Sequence, residues 1–207
     1  LIKVIADLKP DYIAACFDLP APTHRHDAYK EYKGTRKKID DALIAQIERS
    51  KDVFKAFGIP VYSVKGFEAD DALGTIVEKI SADPDTEIII ATGDMDTLQL
   101  VSGNKVRVFT LRKGITDTVL YNEDMVKERY GFGPEHIPDY KGLSGDPSDN
   151  IIGIPGIGDK TATTLIQTFG TIEAMYDLLK KDAKKFAARA EEVGIKERIV
   201  KLVTEHE

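Results

Sequence analysis

Acidic residues constrain this chain more than any other feature. Glu68-Ala69-Asp70-Asp71, Asp94-Met95-Asp96 and Asp146-Pro147-Ser148-Asp149 each fall where a strand or helix would end. Asp18 closes the apolar run Tyr12-Ile13-Ala14-Ala15-Cys16-Phe17. Carboxylates that share a small volume repel one another, and divalent cations offset that repulsion. A fold that sets strand ends side by side would gather these acids at one edge.

The hydrophobic pattern predicts such a fold. Residues 12–18, 60–64 and 87–92 read as strands, the last buried on both faces because it is apolar without alternation. Residues 105–110 alternate, as a half-exposed strand does, and Val119 and Tyr121 add an edge. Between them, residues 41–57 read as an amphipathic helix with Leu43, Ile44, Ile47, Phe54 and Phe57 on one face and Gly58 just past the end. Residues 69–80 form a second helix with Ala72, Leu73, Ile76, Val77 and Ile80 inward, and residues 94–101 a short one. A further helix starts at Asn122 or Glu123 and stops at Gly131. Strands alternating with helices mean α/β with a mainly parallel sheet, whose ligands bind beyond the carboxyl ends of the strands. From about residue 151 the pattern changes to helix, glycine hairpin and helix, a turn at Gly170-Thr171, then charged helices broken at Gly194. This divides the chain into residues 1–150 and 151–207.

Composition narrows the class. The chain has 207 residues, 42% of them hydrophobic, enough for a real core. The longest clear apolar run, Ile88-Ile89-Ile90-Ala91, is far short of the ~20 residues of a membrane span. One cysteine, Cys16, excludes an intrachain disulfide and a thiolate zinc cluster, and a cytoplasmic monomer is expected. Net charge is −6, which argues weakly against nucleic acid. The total misleads: without the clustered acids, the 29 Lys and Arg residues outnumber the remaining acids. The basic charge is concentrated in residues 23–38, where Arg25, Lys30, Lys33, Arg36, Lys37 and Lys38 face only Asp27 and Glu31. This segment reads as a loop or an exposed helix that could overhang the acidic edge.

Three groups carry chemistry. The acids suit magnesium, which takes oxygen ligands; two such ions ~4 Å apart activate water and stabilise the leaving oxygen of a phosphodiester. The bland alternative is helix capping, since acids at a helix start are favoured by the dipole. The second group is Pro155-Gly156-Ile157-Gly158, followed by Asp159-Lys160-Thr161-Ala162. Glycines let a backbone approach a phosphate, and N–H groups at the helix start point to it. The alternative there is a plain helix–helix turn. The third is Arg25, Lys33 and Arg36, interleaved with His24, His26, Tyr29 and Tyr32. Cations attract phosphate and aromatics stack on unpaired bases; a solvated face is the alternative. His24 and His26 lack a partner cluster for metal.

These blocks resemble, in order, a known family. Phe17-Asp18, His26-Asp27-Ala28-Tyr29 with Tyr32-Lys33-Gly34-Thr35-Arg36, Gly66-Phe67-Glu68-Ala69-Asp70-Asp71, Thr92-Gly93-Asp94-Met95-Asp96 with Gln99-Leu100, Gly145-Asp146-Pro147-Ser148-Asp149-Asn150 and Pro155-Gly156-Ile157-Gly158 are similar to the 5′ nuclease domain of bacterial DNA polymerase I. The resemblance implies a PIN-like core, a helical arch over about residues 23–40 and a helix-3-turn-helix DNA clamp. It implies cleavage of 5′ flaps and 5′ ends in Okazaki-fragment processing and repair, with two magnesium or manganese ions. Asp18, Glu68, Asp70, Asp71, Asp94, Asp96, Asp146 and Asp149 would be the metal-site acids. Lys33 and Arg36 would steer the scissile phosphate. Arg25, Tyr29, Tyr32, Gly156, Ile157, Gly158, Lys160 and Thr161 would join them on DNA, often with a potassium ion at the hairpin. A polymerase domain on the same polypeptide is a partner the resemblance raises.

Two departures stand out. The family opens with a central strand ending in an Asp-Gly pair, and nothing like it precedes Leu1; Met95 stands where the family usually has Lys. The chain therefore reads as an internal fragment, expected to be poorly stable and weak in cleavage without that strand. Two rival functions remain: a DNA-binding module of the same fold with degenerate catalysis, and a PIN-type ribonuclease. The hairpin at Gly156–Gly158 argues against the latter.

Overall fold

The computed structural model describes residues 1–114 and 116–206. After a short helix α1 (Ile2–Leu8) the chain builds a mixed α/β part. Strand β1 (Ala15–Cys16) pairs in parallel with β2 (Val61–Tyr62), Ala15 opposite Val61. Between them lie α2 (His24–Ala28) and α3 (Asp41–Ala56). Helix α4 (Ala69–Ser81) leads to β3 (Ile88–Ala91), which pairs in parallel with β4 (Val106–Lys113), Ile88 opposite Val106. Strand β5 (Asp117–Tyr121) closes the edge antiparallel to β4, with a bulge between Leu111 and Lys113.

The architecture is the expected α/β one, with parallel strand pairs and flanking helices. Three particulars differ. Among the described residues the strands form two ladders, β1-β2 and β3-β4-β5, rather than one sheet. Strand β3 was expected to be buried on both faces, yet only Ile90 is buried and Ala91 is exposed. Its apolar run pairs with β4 and packs against α4 rather than having two covered faces. The third concerns α3. Its apolar stripe forms as the spacing predicts, but Leu43, Ile44, Ile47 and Phe57 are 49%, 42%, 40% and 53% exposed. A helix of 16 residues is about 24 Å long, and two-residue strands offer far too little surface to cover it. Its firmest anchor is Phe54, whose ring meets Phe17 edge-on at 5.6 Å.

Helix α5 (Glu123–Tyr130) begins at the N-cap Asn122, whose side chain accepts the Met125 N–H, and stops at Gly131. Helix α6 (Ile137–Ser144) then precedes the glycine hairpin, so the helix expected from residue 151 lies earlier in the chain. Helices α7 (Asp159–Phe169), α8 (Ile172–Lys181), α9 (Ala183–Glu192) and α10 (Glu197–Glu205) complete the chain. In α7 the buried positions Ala162, Leu165, Ile166 and Phe169 recur at helical spacing. One continuous core joins the two parts. It runs from Val77, Ile90, Leu98 and Val108 through Ile137 and Leu143 to Phe186 and Val203. This continuity fixes α6, and the loop after it, against the α/β part. Among the described residues no helix is long and apolar enough to cross a membrane.

Candidate metal centre and nucleic-acid interface

The acids are placed by ordinary local rules. Asp18 lies two residues after β1, and its Oδ1 accepts the Ala69 N–H at 2.7 Å, tying the strand end to the start of α4. Glu68 is the N-cap of α4 and forms a reciprocal capping box with Asp71, which accepts the Glu68 N–H at 2.8 Å. Asp94 N-caps the 3-10 turn Met95–Leu100 and accepts the Asp96 N–H at 2.9 Å. Asp146 begins a tight turn, accepting from the Ser148 N–H at 2.9 Å and the Ser148 hydroxyl at 2.7 Å. Capping and clustering are therefore not alternatives here, because the caps are what bring the carboxylates to one edge.

Two carboxylate groups result. Asp96, Asp146 and Asp149 have oxygens all within 4.8 Å of one another. Around Asp70 the electrostatic neighbours are Asp94, Asp18 and Glu68, with Lys33 opposing them. Asp94 also acts on Asp96, so its charge bears on both groups. Burial and then these like charges push the Asp70 carboxyl up to about 6. Burial likewise raises Asp96, against the pull of Lys141. Burial would raise Asp146 too, but Lys141 and Ser148 override it and bring it down to about 2. This is a hard oxygen donor set with like charges crowded around Asp70, which fits divalent ions.

The shift at Asp70 has a consequence for the metal-free chain. The folded state holds this proton more tightly than the unfolded state does. Its contribution to stability is complete below the ordinary carboxylate range near 4 and is lost as pH rises through about 6. Asp146 has the opposite sign: its contribution is present above about 4 and is lost as pH falls through about 2. With chelator present, the thermal midpoint should fall between pH 4 and pH 6, and Asp70→Asn should flatten that fall. Scanning calorimetry checks it; a wild-type midpoint that rises over this range, with no change in the variant, contradicts it.

The basic segment does overhang the acids, and it is folded down onto them. After α2 it continues as turns rather than a longer helix. The Arg25 guanidinium donates to both oxygens of Asp71 at 2.7 Å, which lowers the Asp71 carboxyl. Lys33 donates to Glu68 Oε2 at 2.8 Å and lies 4.0 Å from Asp149. Arg36 donates to Asp149 Oδ1 at 2.8 Å and to the Ser148 carbonyl at 3.1 Å. Tyr29 is half-buried, and its hydroxyl donates to the Asn150 carbonyl at 3.1 Å.

Two side chains expected on DNA face inward instead. Tyr32 is 7% exposed, so its ring has no free face for a base. Its hydroxyl spans the two acidic elements, 3.2 Å from Glu68 and 3.0 Å from Asp149. Burial, Asp149 and Glu68 all push its ionisation upward. Ile157 is 3% exposed and belongs to the core, and its N–H is taken by the Ile154 carbonyl at 2.9 Å. The side chain between the glycines anchors the hairpin to the core.

The rest of the hairpin is open. Gly153 and Gly156 have φ of 65° and 96°, where a side chain is strained. A Cβ on Gly153 would also lie 2.3 Å from the Gly145 nitrogen, so the loop closes on itself only without one. Gly158 is the N-cap of α7, and the first helical bond runs from Ala162 N–H to the Gly158 carbonyl. The N–H groups before it have no partner within the helix. Gly156, Gly158 and Lys160 are exposed beside them and Thr161 is half-buried. Behind, Lys160 lines a groove of about 640 Å³ with Arg129, Tyr130 and Tyr140.

Lys141 was not foreseen. Its ammonium, on α6, donates to Asp96 and to Asp146 Oδ2, the latter at 2.6 Å. Asp96 is 45 positions away in sequence, and no local pattern announces such a pair.

Comparison with known proteins bears on these features. The family described as "5'-3' exonuclease, N-terminal resolvase-like domain" matches residues 1–131, and "5'-3' exonuclease, C-terminal SAM fold" matches residues 132–207. DNA polymerase I of Bacillus caldotenax is 40% identical over 192 residues, which are 91% of this chain and 22% of that protein. DNA polymerase I of Mycobacterium tuberculosis is 41% identical over 177 residues, 86% of this chain and 19% of that one. The chain thus spans about a fifth of the length of these curated relatives. Among solved structures, T5 5′-exonuclease with bound zinc superposes with a TM-score of 0.73 at 26% identity, covering 98% of this chain and 79% of that one. Bacteriophage T5 flap endonuclease in complex with DNA and metal ions gives a TM-score of 0.72 at 26% identity, covering 93% and 74%.

Proposed function

Since this chain belongs to the 5′-3′ exonuclease family, we propose that it is a structure-specific nuclease that hydrolyses DNA at 5′ ends and 5′ flaps. The observation that carries this reading is the cluster of Asp96, Asp146 and Asp149, whose oxygens lie within 4.8 Å of one another beneath a cationic cover. Asp96, Asp146 and Asp149 would hold one divalent ion, and Asp18, Glu68, Asp70 and Asp94 the other. Two such ions supply an activated water and neutralise the leaving oxygen. Asp71, engaged by Arg25, would act through the capping box that orients Glu68.

The other groups bind and orient. Lys33 and Arg36 lie close enough to Glu68 and Asp149 to exchange these carboxylates for a scissile phosphate. The open N–H groups at the start of α7, with Gly156, Gly158, Lys160 and Thr161, would grip a duplex phosphate without reading bases, with a potassium ion at the hairpin. A cytoplasmic place in primer removal and repair, and a polymerase domain on the same polypeptide, complete the reading. They rest on relatives named DNA polymerase I, of which this chain spans about a fifth.

One observation favours the rival of a DNA-binding module that does not cut. Arg25, Lys33, Arg36 and Lys141 already neutralise much of the acidic edge from within. A 5′-flap substrate with labelled ends separates the two. The nuclease releases the flap with magnesium or manganese and not with chelator, whereas the module binds and never cuts. In the nuclease, Lys33→Ala and Arg36→Ala should each slow cleavage by about 10²-fold while duplex affinity changes by less than about threefold. Equal losses in rate and affinity would make both residues simple backbone contacts.

A further inference from the structure

Lys141 puts a cation of the protein's own among the proposed metal ligands. Its ammonium bridges Asp96, on the turn after β3, and Asp146, at the start of the loop after α6. These acids and Asp149 are the three whose oxygens lie within 4.8 Å of one another. The other cations at the edge, Arg25, Lys33 and Arg36, come from the segment after β1, which packs on the acids but adds only Tyr32 and Thr23 to the buried residues. Lys141 differs because it rides on a helix fixed in the core by Ile137 and Leu143, 2% and 1% exposed. Its backbone therefore stays in place, and only the side chain can withdraw.

We infer that Lys141 is a built-in counter-cation: it holds Asp96 and Asp146 together in the metal-free protein and competes with a divalent ion for the same oxygens. The physics runs both ways. Without the ammonium, the two carboxylates repel, and the α6 loop loses its polar tie to the turn after β3, while the core contacts remain. With it, an incoming dication must displace the ammonium or bear its repulsion at close range. Lys141 thus keeps the oxygens arranged for metal at the expense of affinity. It is a positioning residue that acts through Asp96 and Asp146.

This rests on the proposed metal site, and the experiment keeps the two apart. Mn2+ binding to the chain is measured by calorimetry and by counting free Mn2+ with electron paramagnetic resonance, on wild type, Lys141→Met, Lys141→Gln and Lys141→Arg. Removing the charge should tighten one site roughly tenfold or more, and should lower the thermal midpoint in chelator. Lys141→Arg should stay near wild type in both. Lys141→Gln keeps a hydrogen-bond donor for Asp146 and serves where Lys141→Met fails to fold. A purely structural lysine would weaken metal binding when lost. Weaker or unchanged affinity in the folded charge-removing variants therefore overturns the inference. No Mn2+ binding by the wild type would remove the proposed metal site, and this inference with it.

Discussion

Asp149→Ala is expected to lower flap cleavage by about 10²–10³-fold while duplex binding holds or tightens slightly. Asp149 is the point where the three parts of the edge meet. It belongs to the tight oxygen group with Asp96 and Asp146. Its Oδ1 receives Arg36 at 2.8 Å and its Oδ2 the buried Tyr32 hydroxyl at 3.0 Å. Its backbone carbonyl also accepts the Lys33 N–H at 3.0 Å, and that bond survives the substitution, so the basic segment stays roughly in place. The change therefore removes a carboxylate without removing the cover. Rate should fall because a ligand oxygen is lost. Affinity should not fall, because one negative charge beside an anionic backbone is gone. Single-turnover cleavage and fluorescence anisotropy on one flap substrate measure both. A parallel loss of rate and affinity would mean that Asp149 organises the DNA surface rather than the chemistry.

Phe186→Ala should cost about 3–5 kcal/mol of unfolding free energy. The ring is fully buried and stacks on Phe169 at a centroid distance of 4.6 Å, which joins α9 to the end of α7. Truncation leaves a cavity at the centre of the helical part, where rigid helices on every side cannot collapse into it. The hairpin should suffer with it, because α7 begins there. Urea unfolding followed by circular dichroism gives the number, and the hairpin effect appears as weaker duplex binding at intact secondary structure. A loss under ~1 kcal/mol would show that these helices repack freely around the site.

Much of this chain is legible without coordinates. Periodicity marks α3 and α4 to within a residue or two, because the apolar spacing of an amphipathic helix and the capping chemistry at its ends are both local properties. The gathering of Asp18, Glu68, Asp70 and Asp94 follows from strand ends and helix starts, with the Asp18 bond to the Ala69 N–H tying the end of β1 to the start of α4. What stayed hidden depends on contacts distant in sequence. The stripe of α3 is real, but whether it is buried depends on the area of the strands it meets, and β1 and β2 are too short to cover it. Tyr32 and Ile157 look like surface residues in a basic loop and a glycine turn. Their burial comes from neighbours far along the chain, Glu68 and Asp149 for the first and the helical core for the second. Lys141 is the plainest instance. Nothing in residues 137–144 marks it out, and it acquires its place because the continuous core presses α6 against the turn that carries Asp96. The one-dimensional pattern records which groups carry charge and which face each helix presents. Which opposite charges meet is set by packing, since an ion pair needs two atoms within a few ångströms and chain distance carries no information about that separation.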